Sequence, residues 1–399
     1  MNKFIITRWE GRVLTALINE EGVFQLGLED DGEKSLLNNI YIGKVKNVVK
    51  NIGAAFVELG NGQMAYYSLT ENTRHHYTKP HGNGPLHAGD EIIVQVSKDA
   101  VKTKDPVISS NLNFTGRYSV LTAGKDVLGF SAKIADQEWK QEMKARIAPE
   151  LEDGCGIIVR TNAYGADAGE ILAEIRELKT CYKTVMAAGT YRTCYSLLYE
   201  AAPSYVGSLR DARNGSIDEI ITDDDEICQT LSVYLGKEQP EDLGKLTLYQ
   251  DSMVSLLKLY SLEKALEEAS GRRVWLKSGG YLVIEPTEAL TVVDVNTGKY
   301  TGKKNPRETI LKINLEAARE TARQMRLRNL SGIIIIDFID MTEEEDRKLQ
   351  MDSLTQWCQK DPVKTTVVDI TKLNLVEVTR KKQRRPLHEI MGDNKRRLM

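Results

Sequence analysis

Apolar and polar residues alternate through MNKFIITRWE, GRVLTALINE and GVFQLGLED with glycines at the breaks, which predicts a small antiparallel meander over residues 1–35. After the polar stretch EDDGEKSLLNN a second pattern begins at Asn39. Short strand-like segments fall near 40–48, 53–59, 63–67 and 89–99, interrupted by the His-rich loop RHHYTKPHGNGP. Short strands broken by glycine and closed by G-D-x-I-x-V-x-V predict a five-stranded OB barrel. Helical periodicity over 136–148 and 167–188 brackets a strand GIIVRT at 156–161, and the acidic run IDEIITDDDE at 217–226 reads as the start or flank of a surface helix.

The last third is patterned most clearly. RRVWLKSGGYLVIEP predicts a hairpin turning at Ser278-Gly279-Gly280, followed by the β-branched strand TEALTVVDVNTG. A helix follows over about 306–328, with Asn305 as N-cap, Pro306 at its first position and Glu308 in its first turn. SGIIIIDFIDM then reads as a strand buried on both faces. Strand, helix and strand form a crossover unit, which leaves the two strands parallel in one sheet.

Composition narrows this picture. The 399 residues suit two or three domains, and 41% hydrophobic with 28% charged residues is ordinary for a globular chain. With 54 Lys+Arg against 57 Asp+Glu, net charge −3, a globally basic nucleic-acid binder is excluded, although local basic surfaces are not. No apolar run reaches bilayer length and the N-terminus lacks a signal-peptide pattern, so a cytoplasmic protein without a membrane span is expected. The five cysteines contain no C-x-x-C pair and read as reduced, mostly buried thiols.

Candidate chemistry gathers at the ends of the two parallel strands. Asp294 and Asn296, two apart, project from one strand to the same side, while Asp337 and Asp340 end the other. Open sheets carry their sites at this carboxyl edge. Two acids and an amide oxygen suit Mg²⁺ or Mn²⁺, and two carboxylates closing apolar strands are costly unless they serve a site. The bland alternative has Asp294 capping a turn with Asn296, and Asp337 opening one. The helix between them carries Lys312, Arg319, Arg323 and Arg326 roughly on one face, preceded by Lys299, Lys303 and Lys304. Together with a basic C-terminal stretch, these form a surface along which a phosphate polymer can lie; the alternative is a solvated face with local ion pairs. In the barrel, Phe56, Tyr66 and Tyr67 with rim lysines including Lys104 suit base stacking on single strands, against core packing for Phe56 and one tyrosine.

With these residues in view, the chain resembles the ribonuclease E/G family over nearly its whole length. NIYIGKVKNVVKNIGAAFVELG is similar to the family's S1-type RNA-binding domain, GIIVRT to its 5′-end sensor, and TEALTVVDVNTGKYTGKKN with INLEAARETARQMRLRNLSGIIIIDFIDM to its catalytic segment. The resemblance implies a multidomain α+β and α/β chain: an RNase H-like region split between 1–36 and 205–270, an S1-type OB-fold barrel at 37–118 inserted into it, a sensor region at 119–204, and a DNase I-like catalytic region at 271–399. It further implies Asp294 and Asp337 as magnesium-binding catalytic carboxylates supported by Asn296, and Arg160 with Thr161 as the pair holding a 5′-monophosphate. Phe56 and Tyr66 match stacking positions, and Lys104 falls where a basic residue contacts RNA, in a neighbourhood, KTKDPVIS, that departs from the family's Gly-Ala-rich sequence. Asn329-Leu330-Ser331-Gly332 replaces the usual acid-Gly-Gly. Members commonly share a zinc through C-P-x-C after the catalytic region; TRKKQRRPLHEIMGDNKRRLM has no such cysteines, so no structural zinc is expected and any homodimer is not zinc-linked.

The resulting expectation is a magnesium-dependent, single-strand-specific endoribonuclease of mRNA and rRNA precursors that prefers 5′-monophosphorylated ends and leaves 5′-phosphate and 3′-hydroxyl products. On the residues alone, Arg160 pairing with an acid such as Glu170 or Asp167 ranks above the sensor role. A non-catalytic RNA-binding regulator with the same barrel and basic face is the competing class, and a DNA nuclease or phosphodiesterase a third.

Overall fold

The computed structural model describes residues 1–30, 35–79, 85–100, 105–124, 126–152, 154–212, 217–298, 306–382 and 385–397. The chain forms two compact units, one from 1–33 with 215–399 and one from 34–214.

The second of these holds the expected barrel. Strands Ile40–Val49, Ala54–Glu58, Met64–Ser68, Val107–Ser109 and Glu91–Lys98 pair in that order, and the first pairs back onto the last, which closes an OB-like barrel. Gly43 is required where the closing strand crosses, because a Cβ there would meet a Val57 methyl at 2.5 Å. Val45, Val57, Ala65, Tyr67, Ile92 and Val94 fill its interior. Beside it, the sheet Asn113–Thr115, Ser119–Ala123, Cys155–Val159 and Leu128–Phe130 is packed by helices Gln137–Ile147 and Ala168–Tyr191, close to the expected spans.

In the other unit the N-terminal meander, Lys3–Trp9, Arg12–Asn19 and Gly22–Asp30, is extended by strands Glu219–Thr222 and Leu246–Leu248, so residues more than two hundred positions apart share one sheet. The run 217–226 does flank a helix, as expected, and its first part adds a strand that the sequence reading does not include. The β-branched run Ile220-Ile221-Thr222 is buried as a strand, and the helix Asp225–Glu238 begins only after Asp224, whose carboxylate caps it by accepting from the Ile227 N–H.

The same unit carries a six-stranded sheet in the order Arg273–Trp275, Tyr281–Pro286, Leu290–Asn296, Gly332–Asp337, Leu375–Arg380, Thr365–Ile370. Helices Pro306–Leu327 and Glu344–Gln359 cover one face of it. Leu282, Ile284, Val293, Val295, Ile334 and Ile336 pack there against Ile313, Ala317, Met325 and Leu354. The expectation that the IIII run is buried on both faces is therefore corrected: Ile334 and Ile336 are buried, but Ile333 is 50% exposed, because both helices lie on the same side. Of the cysteines, Cys155 and Cys358 are buried and Cys181, Cys194 and Cys228 half-buried, so the expectation of mostly buried thiols is corrected too. Among the described residues no helix is long and apolar enough to cross a membrane.

Candidate active site

The uncovered face of the six-stranded sheet carries the acids. Along Leu290–Asn296, Thr291, Val293 and Val295 are buried while Asp294 and Asn296 take the opposite parity. The strand runs parallel to Gly332–Asp337, and the final register pair of that ladder sets Asp294 opposite Asp337. Neighbouring strands are about 4.8 Å apart, so two carboxylates in register are close neighbours. Asn296 Nδ2 donates to Asp294 Oδ2 at 2.8 Å, which fixes the orientation of that carboxylate. Partial desolvation at the strand end, and then the negative charges of Asp294 and Asp340, hold the Asp337 carboxyl above the ordinary range. Among the described residues no Lys or Arg forms an ion pair with either acid.

Two amides brace the segment after Asp337. Asn314, fully buried on the sheet-facing side of the long helix, donates to the Ile339 carbonyl at 2.7 Å and accepts from its N–H at 3.2 Å. Asn374 Nδ2 donates to Asp340 Oδ1 at 3.1 Å. Neither was anticipated from sequence. The available signal was Asn314 itself, an amide one residue from Ile313 on an otherwise apolar helical face, where a buried amide needs a specific partner.

This donor set fits a hard divalent cation. It offers carboxylate oxygens whose mutual repulsion a cation relieves, and an amide locking one of them in place. Among the described residues no three His, Cys, Asp or Glu side chains gather as a cage. An ion held here would need water and substrate oxygens to complete its shell, as Mg²⁺ does when held by one or two carboxylates.

In the barrel, Phe56 and Tyr66 are register partners on adjacent strands, half-buried, with ring centroids 6.3 Å apart and nearly perpendicular. Tyr67 points the other way, fully buried, its hydroxyl donating to Ser110 and sharing a hydrogen bond with His75. The aromatic pair on the outside is thus Phe56 with Tyr66, and Tyr67 is the core residue.

Arg160 and Thr161 lie where the Cys155–Val159 strand ends. Arg160 donates to the Gly116 carbonyl at 2.6 Å and to Asp211 at 2.7 Å, so its carboxylate partner is Asp211 rather than Glu170 or Asp167. Burial works against ionisation of Asp211, but Arg160 and Arg210 outweigh it and hold its pKa below the usual value. Thr161 Oγ1 shares a 2.8 Å hydrogen bond with Ser131. The Gly116 turn is itself held by Glu174, which accepts from the Arg117, Tyr118 and Ser119 N–H groups and the Ser119 hydroxyl.

Arg319 and Arg323 are not brought to the acids. Arg319 pairs with Glu21 and lies over the Trp357 ring, and Arg323 pairs with Glu320 and donates to the Val23 carbonyl. Their helix lies on the covered side of the sheet, opposite Asp294 and Asp337. Arg380, from the basic stretch, is 5% exposed and locked to Asp361. Lys104, Lys299, Lys303, Lys304 and the Asn305 cap lie outside the described residues.

Known proteins carry the same arrangement of sequence. Residues 113–383 match the model of the ribonuclease E/G family. Ribonuclease G of Escherichia coli (strain K12) is 34% identical over 382 residues, 93% of this chain and 78% of that protein. Ribonuclease G of Haemophilus influenzae is 32% identical over 390 residues (95% and 79%), and ribonuclease E of a Nostoc species 31% over 391 residues (96% and 56%). A match of this extent, across both the barrel and the sheet that bears the paired acids, means that the chain belongs to the ribonuclease E/G family of endoribonucleases.

Proposed function

We propose that this endoribonuclease of RNA processing and decay hydrolyses single-stranded RNA, mRNA and rRNA precursors among its substrates, in a reaction that requires Mg²⁺ and tolerates Mn²⁺. Its products carry 5′-phosphate and 3′-hydroxyl ends, and 5′-monophosphorylated RNA is preferred. The observation that carries this reading is the register pairing of Asp294 with Asp337 on the open face of the sheet, with no basic partner among the described residues.

Asp294 and Asp337 would hold the metal, which when bound supplies positive charge for the scissile phosphate and lowers the pKa of an attacking water. Asn296 keeps Asp294 in one orientation, so its outward oxygen is aimed before substrate arrives. Asn314 holds the Ile339 backbone and thereby the segment following Asp337. Phe56 and Tyr66 present ring faces or edges on which bases of a single strand stack. Arg160 retains donors beyond those used on Gly116 and Asp211, and these form a fork for a terminal phosphate with Thr161 beside it. We assign the RNase H-like role to the five-stranded sheet and the DNase I-like role to the six-stranded one, with S1-type binding in the barrel and 5′-end sensing in the sheet beside it. RNA contacts by Arg319 and Arg323 would require both to leave their present partners.

The test incubates the chain with labelled, 5′-monophosphorylated single-stranded RNA and Mg²⁺, alongside Asp294→Asn and Asp337→Asn. Cleavage by wild type and its loss in both variants is expected. Binding without cutting would instead support a non-catalytic RNA-binding regulator, and equal cutting by the variants would remove the catalytic assignment.

A further inference from the structure

Two rows of residues cross the open face of the six-stranded sheet side by side. One runs Arg273, Val283, Asp294, Asp337 and the other Trp275, Tyr281, Asn296, each set by strand register. Residues directly opposite on paired strands share a face, so the Trp275 and Tyr281 rings project on the side of the acids. Trp275 sits on the sheet's edge strand with 61% of its surface exposed. It is nevertheless held in place: its ring lies 5.2 Å from that of Tyr281, and the Arg273 guanidinium lies 4.5 Å from the Tyr281 centroid and 5.8 Å from that of Trp275. An isolated exposed aromatic needs no explanation, but one pinned by a second ring and a cation is preorganised. A buried packing role is not available to a ring this exposed.

We propose that Trp275 and Tyr281, with Arg273 over the tyrosine, form a stacking platform for a nucleobase of the RNA strand whose phosphate is cut at Asp294 and Asp337. This rests on the endoribonuclease reading above. Two strand spacings along this row separate Trp275 from Asn296, about 10 Å, a distance that about three stacked nucleotides span at about 3.4 Å each. The platform therefore engages a base a few nucleotides from the scissile bond on the same strand. Its chemistry is sequence-tolerant, since every base offers a π-face, and the Arg273 charge adds attraction to the backbone.

The test has two arms. Steady-state cleavage of a 5′-monophosphorylated single-stranded RNA is compared for wild type, Trp275→Ala and Trp275→Phe. Trp275→Ala is expected to raise KM about tenfold, the effect of losing one stacked base, with kcat within about twofold, and Trp275→Phe to restore most of the loss. In the second arm, RNAs carrying 2-aminopurine at successive positions are titrated into Asp337→Asn and into Asp337→Asn/Trp275→Ala. One position should be quenched in the first and not in the second. Unchanged KM together with unchanged fluorescence overturns the platform. If wild type binds but does not cut, the catalytic reading falls while the fluorescence arm, which needs no turnover, still decides the platform.

Discussion

Asp294 and Asp337 face each other as the last register pair of a parallel ladder, and each stands on the side of the sheet that the helices leave open. Two carboxylates so placed repel, and that repulsion adds to partial burial in holding the Asp337 pKa above its ordinary value. A divalent cation removes the repulsion. Mg²⁺ should therefore raise the Tm of the wild-type chain above its value in chelator, by mass action on the folded state. Asp337→Asn should lose that Mg²⁺-dependent rise, match or exceed the wild-type Tm in chelator, and cleave roughly 10²-fold or more slowly. Thermal unfolding with and without EDTA, beside a cleavage assay, checks all three. A Mg²⁺-dependent rise kept in full by Asp337→Asn would move the metal elsewhere.

Asn314 makes a second, separable prediction. It is fully buried, and its amide satisfies both the N–H and the carbonyl of Ile339. Asn314→Ala leaves those groups without partners, at a cost of about 1–3 kcal/mol. Because Ile339 sits between Asp337 and Asp340, kcat should fall with KM nearly kept, and the Ile339 amide should exchange with solvent faster. A variant that loses stability while kcat and Ile339 exchange stay at wild-type values would make Asn314 a packing residue alone.

What could be read before the structure follows from which interactions are local. Strand alternation at 40–48, 53–59 and 63–67 marked the barrel because each strand has one inner face, and the observed strands fall within a few residues of those limits. The pairing of Asp294 with Asp337 was also legible, since a strand–helix–strand crossover leaves both carboxyl ends on one edge. Burial of the 332–337 strand was not. A run of four isoleucines has no period, and only the placement of both helices on one side decides that Ile333 is exposed. The acidic run at 217–226 was legible as the flank of a helix but not as a strand, for a related reason: its charges flank the strand Glu219–Thr222, whose partners, Lys3–Trp9 and Leu246–Leu248, lie far off in sequence. The helix-face arginines looked like one basic surface because spacing alone cannot supply Glu21, Glu320 and Trp357, the groups that occupy them.

The two sides of the barrel strand Met64–Ser68 should separate by function. Tyr66 stands half-buried against Phe56, whereas Tyr67 is enclosed, with its hydroxyl on Ser110 and His75. Phe56→Ala should weaken single-stranded RNA binding about tenfold, within the range for loss of one stacked base, and change stability little. Tyr67→Phe should do the reverse, removing about 1 kcal/mol of stability for its lost hydrogen bonds while RNA affinity holds. Filter binding and chemical denaturation on the same two variants test the division. Equal effects on both properties would show that the two rings are not divided in this way.

Glu174 accounts for the shape of the turn that Arg160 leans on. Burial pushes its carboxyl pKa up despite four donors, and a Cβ added at Gly116 would collide with that carboxyl. Gly116→Ala should therefore expel Glu174 from its cradle and leave the Arg117, Tyr118 and Ser119 N–H groups unpaired, destabilising the chain by about 1–3 kcal/mol or more. Cleavage of 5′-hydroxyl RNA should persist in the folded fraction while the advantage of a 5′-monophosphate shrinks, because the Gly116 carbonyl orients Arg160. A folded Gly116→Ala chain with an undiminished 5′-monophosphate advantage would show that Arg160 does not depend on this turn.

The Arg160 site predicts how 5′-end preference varies with pH. Asp211 has a depressed pKa, so the stability its pairing with Arg160 provides is fully present above the ordinary Asp value of about 3.9 and is lost only as pH falls through the lower, folded value. From pH 5.5 to 7.5 the protein side of this site thus stays unchanged. The terminal phosphate does change, taking its second negative charge near pH 6. The rate ratio of 5′-monophosphate to 5′-hydroxyl RNA should rise across that interval and then level off. Arg160→Ala should bring the ratio close to one at every pH, and Arg160→Lys should restore only part of it, because a single ammonium lacks the planar fork. A ratio in wild type that is flat from pH 5.5 to 7.5, or one that survives Arg160→Ala, would mean that the phosphate is sensed by another group.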